Sequence, residues 1–252
     1  MPLSLQDWHD RYQVQAQWTK ALRTYFFEFL NNHPQERILD IGCGTGVLLP
    51  DLQALTSADI FGADINLENL SLAKSGSPET HLSSSDVFHL PYPDNSFDLV
   101  LCHYFLLWTG YPAGAMKEIR RVTSNNGYVV AFAEPDYGGR IDYPPEFIKI
   151  RDYQINGLIE AGADPRMGRK LKSLFFDGGY SDIVCGVYEG SWEKPPSQEE
   201  LESEWRVLED DLSGILSNTE IAVLKKHEIK SMEKGTRLVY VPTFYCWGKV
   251  NK

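Results

Sequence analysis

Arg37-Ile38-Leu39-Asp40-Ile41-Gly42-Cys43-Gly44-Thr45-Gly46 decides how this chain is read. A short apolar strand, residues 37–41, runs into a loop with glycine at every second position. Glycine tolerates positive φ, which a sharp turn needs, and its missing side chain lets a ligand approach the backbone. A helix opening just beyond such a loop turns its free N–H groups and positive dipole end toward that ligand. The spacing also discriminates among ligands. A nicotinamide or flavin fingerprint requires G-x-G-x-x-G. Here the order is G-x-G-x-G, and Val47 stands at the sixth place.

On the N-terminal side, Tyr12, Trp18, Leu22, Phe26 and Phe29 share one broad face, which predicts a single helix over 12–30, ended by Asn31-Asn32-His33-Pro34. On the C-terminal side, helices and strands alternate: helix 46–55, strand 58–63, helix 66–75, strands 81–84 and 97–102, helix 113–122 and strand 128–133. Gly76 and Pro78, Pro91 to Ser96, and Asn125-Asn126-Gly127 punctuate them. This alternation implies a parallel sheet covered on both faces. Ligands are expected beyond the carboxyl ends of its strands. After Glu134 the rhythm changes. Residues 144–177 read as helical, 182–188 as a strand, 192–236 as inserted helices and 238–250 as one long final strand.

At 252 residues the chain has room for one large domain, and 42% hydrophobic with 23% charged residues is ordinary for a globule with a substantial core. The net charge of −11 argues against general binding to nucleic acid or an anionic membrane surface. The short basic runs at Arg166 to Lys172 and Lys225 to Lys230 read as solvated helix faces. Cys43, Cys102, Cys185 and Cys246 form no C-x-x-C, and the six histidines show no metal-ligand spacing. Neither a zinc site nor a disulfide framework is indicated. The N-terminus lacks the basic start and apolar stretch of a signal peptide, and no apolar run reaches the ~18 residues that span a bilayer. The expectation is a cytoplasmic protein with no metal and no membrane partner, monomeric or homodimeric.

The D-x-G-x-G-x-G pattern of Asp40 to Gly46 resembles the first motif of the class I methyltransferases that use S-adenosylmethionine. The phrasing of Leu39 to Gly46, then Phe97 to Val100, then Glu118 to Gly127 is similar to the small-molecule group of that family, the type 11 and 25-like methyltransferases. The resemblance covers residues 35–190 and the C-terminal strand. It implies an α/β, Rossmann-like doubly wound sheet of seven strands, mostly parallel with an antiparallel last strand, plus helical lid insertions. On that plan residues 1–34 form a helical cover and 35–137 the cofactor core. Residues 138–180 and 192–236 form substrate lids, and 181–190 and 237–250 the final strands.

S-adenosylmethionine combines a sulfonium, an amino-acid tail, a ribose diol and an adenine. Asp64 follows Gly46 by 18 residues, near the ~20-residue offset at which a carboxylate accepts both ribose hydroxyls in analogous sites. The competing reading makes Asp64 the cap of the next helix. By resemblance, Asp86 takes the adenine amine and the Val87 N–H lies near a ring nitrogen. The tail ammonium is expected at backbone carbonyls near Gly42, with Asp40 as outer partner. Cys43, Gly44 and Gly46 in the loop, Ile65 beside Asp64, and His103 at the end of the fourth strand complete the cofactor set. In this family a segment ahead of the sheet often folds over the cofactor, which makes Tyr12 and Trp18 candidates through their cation-attracting faces; the stronger competing reading of an aromatic stripe at helical spacing is core packing.

Methyl transfer from a sulfonium is an in-line displacement governed by alignment, and a base is needed only when the nucleophile must lose a proton. His103 is the titratable candidate for catalysis, and the competing reading makes it a hydrogen-bonded cofactor-site residue with no proton role. Tyr104, Trp108, Glu134, Asp136 and Tyr137 follow strand ends four and five and are candidates to line an acceptor pocket. Phe147, Tyr153, Phe175, Phe176, Trp192 and Trp205 suggest a partly apolar pocket under the lids, though core packing explains them equally well. The chain reads as an enzyme methylating a small organic acceptor. Competing possibilities are a non-catalytic binder of S-adenosylmethionine or its product, and a nicotinamide oxidoreductase, against which Val47 weighs.

Overall fold

The computed structural model describes residues 3–30, 33, 35–188 and 197–252. Asn31, Asn32, Pro34 and Trp192 lie outside the described residues. The chain begins with α1 (Leu5–Trp18) and α2 (Lys20–Phe29), then β1 (Arg37–Ile41), α3 (Leu49–Leu55), β2 (Asp59–Asp64), α4 (Leu67–Gly76), β3 (His81–Ser84) and β4 (Phe97–Cys102). It continues through α5 (Pro112–Val122), β5 (Thr123–Pro135), β6 (Ile141–Tyr143), α6 (Ile148–Glu160), α7 (Leu171–Asp177) and β7 (Tyr180–Val187). It closes with α8 (Gln198–Leu212), α9 (Asn218–Glu233), β8 (Leu238–Tyr240) and β9 (Thr243–Val250).

Seven strands form one sheet in the order β3-β2-β1-β4-β5-β9-β7. β1 to β5 run parallel. β9, the last strand in sequence, lies antiparallel to both β5 and β7. Alternate residues of the central strands feed two cores, as the pleat requires. Leu39, Val100, Cys102, Val129 and Ala131 pack with Met116 and Ile119 of α5 and Phe175 of α7. Ile38, Leu99, Leu101, Val130 and Phe132 pack on the other face with Phe26 of α2, Leu49 and Leu52 of α3, and Ala73 of α4. Burial on both faces explains why these strands are apolar without alternation.

The helical stretch foreseen over 144–177 divides into α6 and α7, the strand foreseen over 128–133 extends over Thr123–Pro135, and three further expectations change. The helix foreseen over 12–30 is two helices. It starts earlier because Ser4 and Asp7 form a capping box, and it breaks at Thr19, whose hydroxyl is held by Arg23 and His103. The single strand foreseen over 238–250 divides at Val241-Pro242. Proline has no N–H to donate to a ladder; the Pro242 carbonyl instead accepts the Asp136 N–H at 2.8 Å, and β8 leaves the main sheet to pair with β6. Cys185 and Cys246, read as unpaired, are joined by a disulfide. They face each other in the β7–β9 register, and a pairing set by strand register leaves no trace in local spacing.

The inserted helices α6, α8 and α9, expected to act as a lid, share their own core of Phe147, Ile150, Trp205, Leu208, Leu212 and Ile221. A buried charge network fastens it. Asp142 on β6 pairs with Arg140 at 2.7 Å and with Arg237 at 2.7 Å, and Arg237 pairs with Glu228 of α9 at 2.7 Å. No helix among the described residues is long and apolar enough to cross a membrane.

Candidate functional site

Gly42, Gly44 and Gly46 all adopt positive φ, at +67°, +53° and +78°. Their reasons differ. A Cβ at Gly42 would lie 2.2 Å from the Phe105 ring, and one at Gly46 would lie 2.7 Å from the Ala73 Cβ on α4. These two glycines allow the loop to pack. A Cβ at Gly44 would meet only the Tyr12 ring, at 3.9 Å, so open space lies over this residue with an aromatic roof on α1. Cys43 turns its side chain away from the loop. Its thiol turns inward against Gly62, and burial beside Asp40 and Asp64 pushes its ionisation far up.

Asp64 ends β2 beside the loop. One carboxylate oxygen accepts the Gly44 N–H at 2.9 Å and the other the Asn66 N–H at 2.8 Å. The helix cap that could have competed for Asp64 is supplied by Asn66, whose side chain accepts the N–H groups of Glu68 and Asn69. Ile65 is 73% exposed at the rim. Asp86 is exposed after β3, with one oxygen accepting the Phe88 N–H at 3.0 Å. Val87 is half-buried beside it.

Asp40 is 2% exposed, and its Oδ2 has no hydrogen-bond partner. Burial, with the Asp64 charge second, pushes its pKa up to about 8, against the pull of Arg23. A buried carboxyl without a hydrogen-bond partner beside a glycine loop is one that a cation placed against it would ionise.

His103 Nε2 lies 2.8 Å from the Thr19 hydroxyl, and Arg23 donates to that hydroxyl at 2.8 Å before reaching Asp51. Burial, then the Arg23 charge, pulls the His103 pKa down to about 3. The imidazole is therefore neutral and a poor proton acceptor, which counts against the base role expected for it. Sequence reading missed this relay because Thr19 and Arg23 sit in a helical stretch with no motif.

The acceptor candidates divide. Glu134 is fully buried, and its two oxygens accept the N–H groups of Phe105, Leu106 and Leu107 at 3.1, 2.7 and 3.0 Å. It clamps the turn after β4 instead of facing a pocket. Asp136 is 4% exposed and locked in a two-point pair with Arg169 at 2.6 and 2.9 Å. Trp108 is 50% exposed on the rim. Tyr104 stands at the end of β4 in the left-handed region (φ 49°), held by its N–H on the Ala133 carbonyl at 2.8 Å. Tyr104 and Tyr137 are brought together around Arg11 of α1 and Glu204 of α8. Burial raises both phenols. Of the aromatic residues expected under the lids, Trp205 and Phe147 belong to the lid core and Phe175 to the sheet core, while Phe176 is 74% exposed.

The N-terminal helix α1 packs against the glycine loop. Tyr12 stacks on Trp8 at 5.9 Å, and His9 Nδ1 lies 2.9 Å from the Thr45 hydroxyl in the glycine loop. Trp18 carries the Arg11 guanidinium over its ring at 4.9 Å instead of facing the loop.

A methyltransferase domain model matches residues 39–131. An uncharacterized methyltransferase of Schizosaccharomyces pombe is 28% identical over 170 residues, covering 62% of this chain and 60% of its own length. A demethylmenaquinone methyltransferase of Renibacterium salmoninarum is 30% identical over 122 residues, covering 48% of this chain and 51% of its own length. The chain thus spans about half to three-fifths of the curated relatives it matches. Among solved structures, the complex between the Haloferax volcanii Trm112 methyltransferase activator and the putative methyltransferase contains a chain with the same fold. That chain has a TM-score of 0.62 at 15% identity, with 98% of this chain and 96% of that one covered. By its domain model, its relatives and its sheet, this chain is similar to the class I S-adenosylmethionine-dependent methyltransferases, and residues 39–131 match a methyltransferase domain.

Proposed function

We propose that this protein transfers a methyl group from S-adenosylmethionine to a small organic acceptor. The observation that carries the reading is the cradle itself: open space over Gly44, roofed by Tyr12, flanked by Asp64 and backed by the orphan carboxyl of Asp40. These residues fit the cofactor group by group. The tail ammonium meets Asp40 and the carbonyls around Gly42. The ribose diol meets Asp64, whose oxygens keep lone pairs beyond their two backbone bonds. The adenine lies by Asp86 and Val87, with Ile65 at its edge. When bound, S-adenosylmethionine supplies a methyl group activated by its sulfonium.

The protein's share is then position. α1 excludes water above the loop. Neutral His103, fixed by Thr19, forms a wall of the site without moving a proton. Tyr104, Tyr137 and Trp108 are the acceptor side, and their aromatic character suits a partly apolar molecule. The relative named for demethylmenaquinone supports a small organic acceptor of that general kind. Glu134 and Asp136 are withdrawn from the pocket because their oxygens are already engaged.

Calorimetric titration with S-adenosylmethionine, S-adenosylhomocysteine and NAD tests the cofactor. Micromolar binding of the first two and none of the third is expected. Asp64→Ala loses charged hydrogen bonds worth about 1.5–3 kcal/mol, roughly a tenfold to hundredfold drop in affinity. Unchanged affinity in that variant overturns the ribose assignment. Release of S-adenosylhomocysteine on screening small acceptors distinguishes an enzyme from a binder.

A further inference from the structure

The two covers of the site touch each other. α1 lies over the glycine loop through Tyr12 on Gly44 and His9 on Thr45. α8 belongs to the lid, anchored there by Trp205, Leu208 and Leu212. Between them stand two ion pairs. Arg11 Nη1 on α1 lies 2.6 Å from Glu204 Oε2 on α8, with the Arg11 side chain 8% exposed. One turn earlier on α1 and two residues further along α8, Arg206 Nη1 lies 2.8 Å from Asp7 Oδ1 in a more exposed pair. The charges run in opposite senses, α1 giving the cation in one pair and the anion in the other. The pairs therefore fix the register of one helix against the other. Arg11 also neighbours Tyr104 and Tyr137, so the junction of the two covers sits over the acceptor side. α8 supplies none of the residues assigned to the cofactor.

We infer that the Arg11–Glu204 and Asp7–Arg206 pairs couple the cofactor and acceptor sites, so that the acceptor lid seats only on a cover helix already closed over cofactor. This rests on the cofactor reading above. A ligand that orders α1 must then also order α8, which it does not touch, and coupling of this kind is reciprocal. Arg11 and Glu204 are positioning residues: they act on the reaction through the placement of two helices. Cofactor binding then raises affinity for the acceptor, and acceptor binding raises affinity for the cofactor by the same factor.

Amide hydrogen exchange on the full chain, with and without S-adenosylhomocysteine, reads this directly. In the unaltered protein the ligand is expected to slow exchange in both α1 and α8, by at least about fivefold in α8. In the double variant Glu204→Gln with Arg206→Ala, α1 remains protected by ligand and the effect on α8 disappears. Glu209→Gln is the control, because Glu209 pairs with Lys225 of α9 and not with α1; it keeps the α8 response. Far-UV circular dichroism verifies that the variants fold. Ligand protection confined to α1 in the unaltered protein overturns the coupling, as does an α8 response that survives the double variant. Absence of any ligand effect, in α1 as in α8, overturns the cofactor reading and the coupling with it.

Discussion

At the scale of the residue, Asp40 carries the sharpest consequence. Its carboxyl holds a proton up to about pH 8 in the free protein. A cofactor ammonium placed against it favours the ionised form, so binding at pH 6.5 should expel about one proton. Calorimetry in two buffers of different ionisation enthalpy measures that number. Asp40→Asn should abolish the release and weaken binding; an unchanged release places the ammonium elsewhere. Asp40, the three glycines and Asp64 were legible in the sequence because their work is local: a strand end, a turn, the next strand end. Glu134 and Asp136 were not. Each looked like a polar residue on a substrate loop, but their partners are backbone groups 27 to 29 residues away and a guanidinium 33 away. The same holds for Arg11, whose partner Glu204 is brought to it by the lid.

At the scale of the element, the sheet strands up to β4 fall within a residue of their expected ends, because apolar runs between turn formers mark them. The covers were less legible. Their boundaries depend on tertiary contacts, such as Thr19 with His103 and Pro242 with Asp136. The lid depends on Arg237, which bridges Asp142 and Glu228 with every charged partner about 5% exposed or less. Arg237→Ala leaves buried Glu228 without its ion-pair partner and Asp142 with Arg140 alone, and should destabilise the lid by about 3–5 kcal/mol. Denaturant unfolding followed by Trp205 fluorescence checks this. The lid signal should move to lower denaturant while the sheet, probed by Trp247, moves less. A joint, unaltered transition would show that the network adds nothing to the lid.

At the scale of the whole molecule, buried carboxyls set how the free protein responds to pH. Asp40 titrates near 8 and Glu134 near 7, against ordinary values of 3.8 and 4.5, chiefly through burial. Between about pH 4.5 and 8 the folded chain keeps protons that the unfolded chain has lost, so stability falls as pH rises through that window. The net charge of −11 adds self-repulsion in the same direction. The free protein should therefore melt a few degrees lower at pH 8 than at pH 6, and added S-adenosylhomocysteine should recover more of the loss at pH 8. Thermal scans at the two pH values decide it. A protein equally stable at both would mean these carboxyls are ionised throughout. The place of β9 has a consequence in time. Its residues come after those of every other strand, yet it fills the slot between β5 and β7. On the ribosome, roughly 110 residues must follow β5 before that slot can be filled, a delay of roughly 5 to 20 s at ordinary elongation rates. For that interval the outer edge of β5 is an unpaired, apolar template, open to the wrong strand. The nascent chain can assemble its glycine loop early, but it passes through its most aggregation-prone form just before its last strand is made.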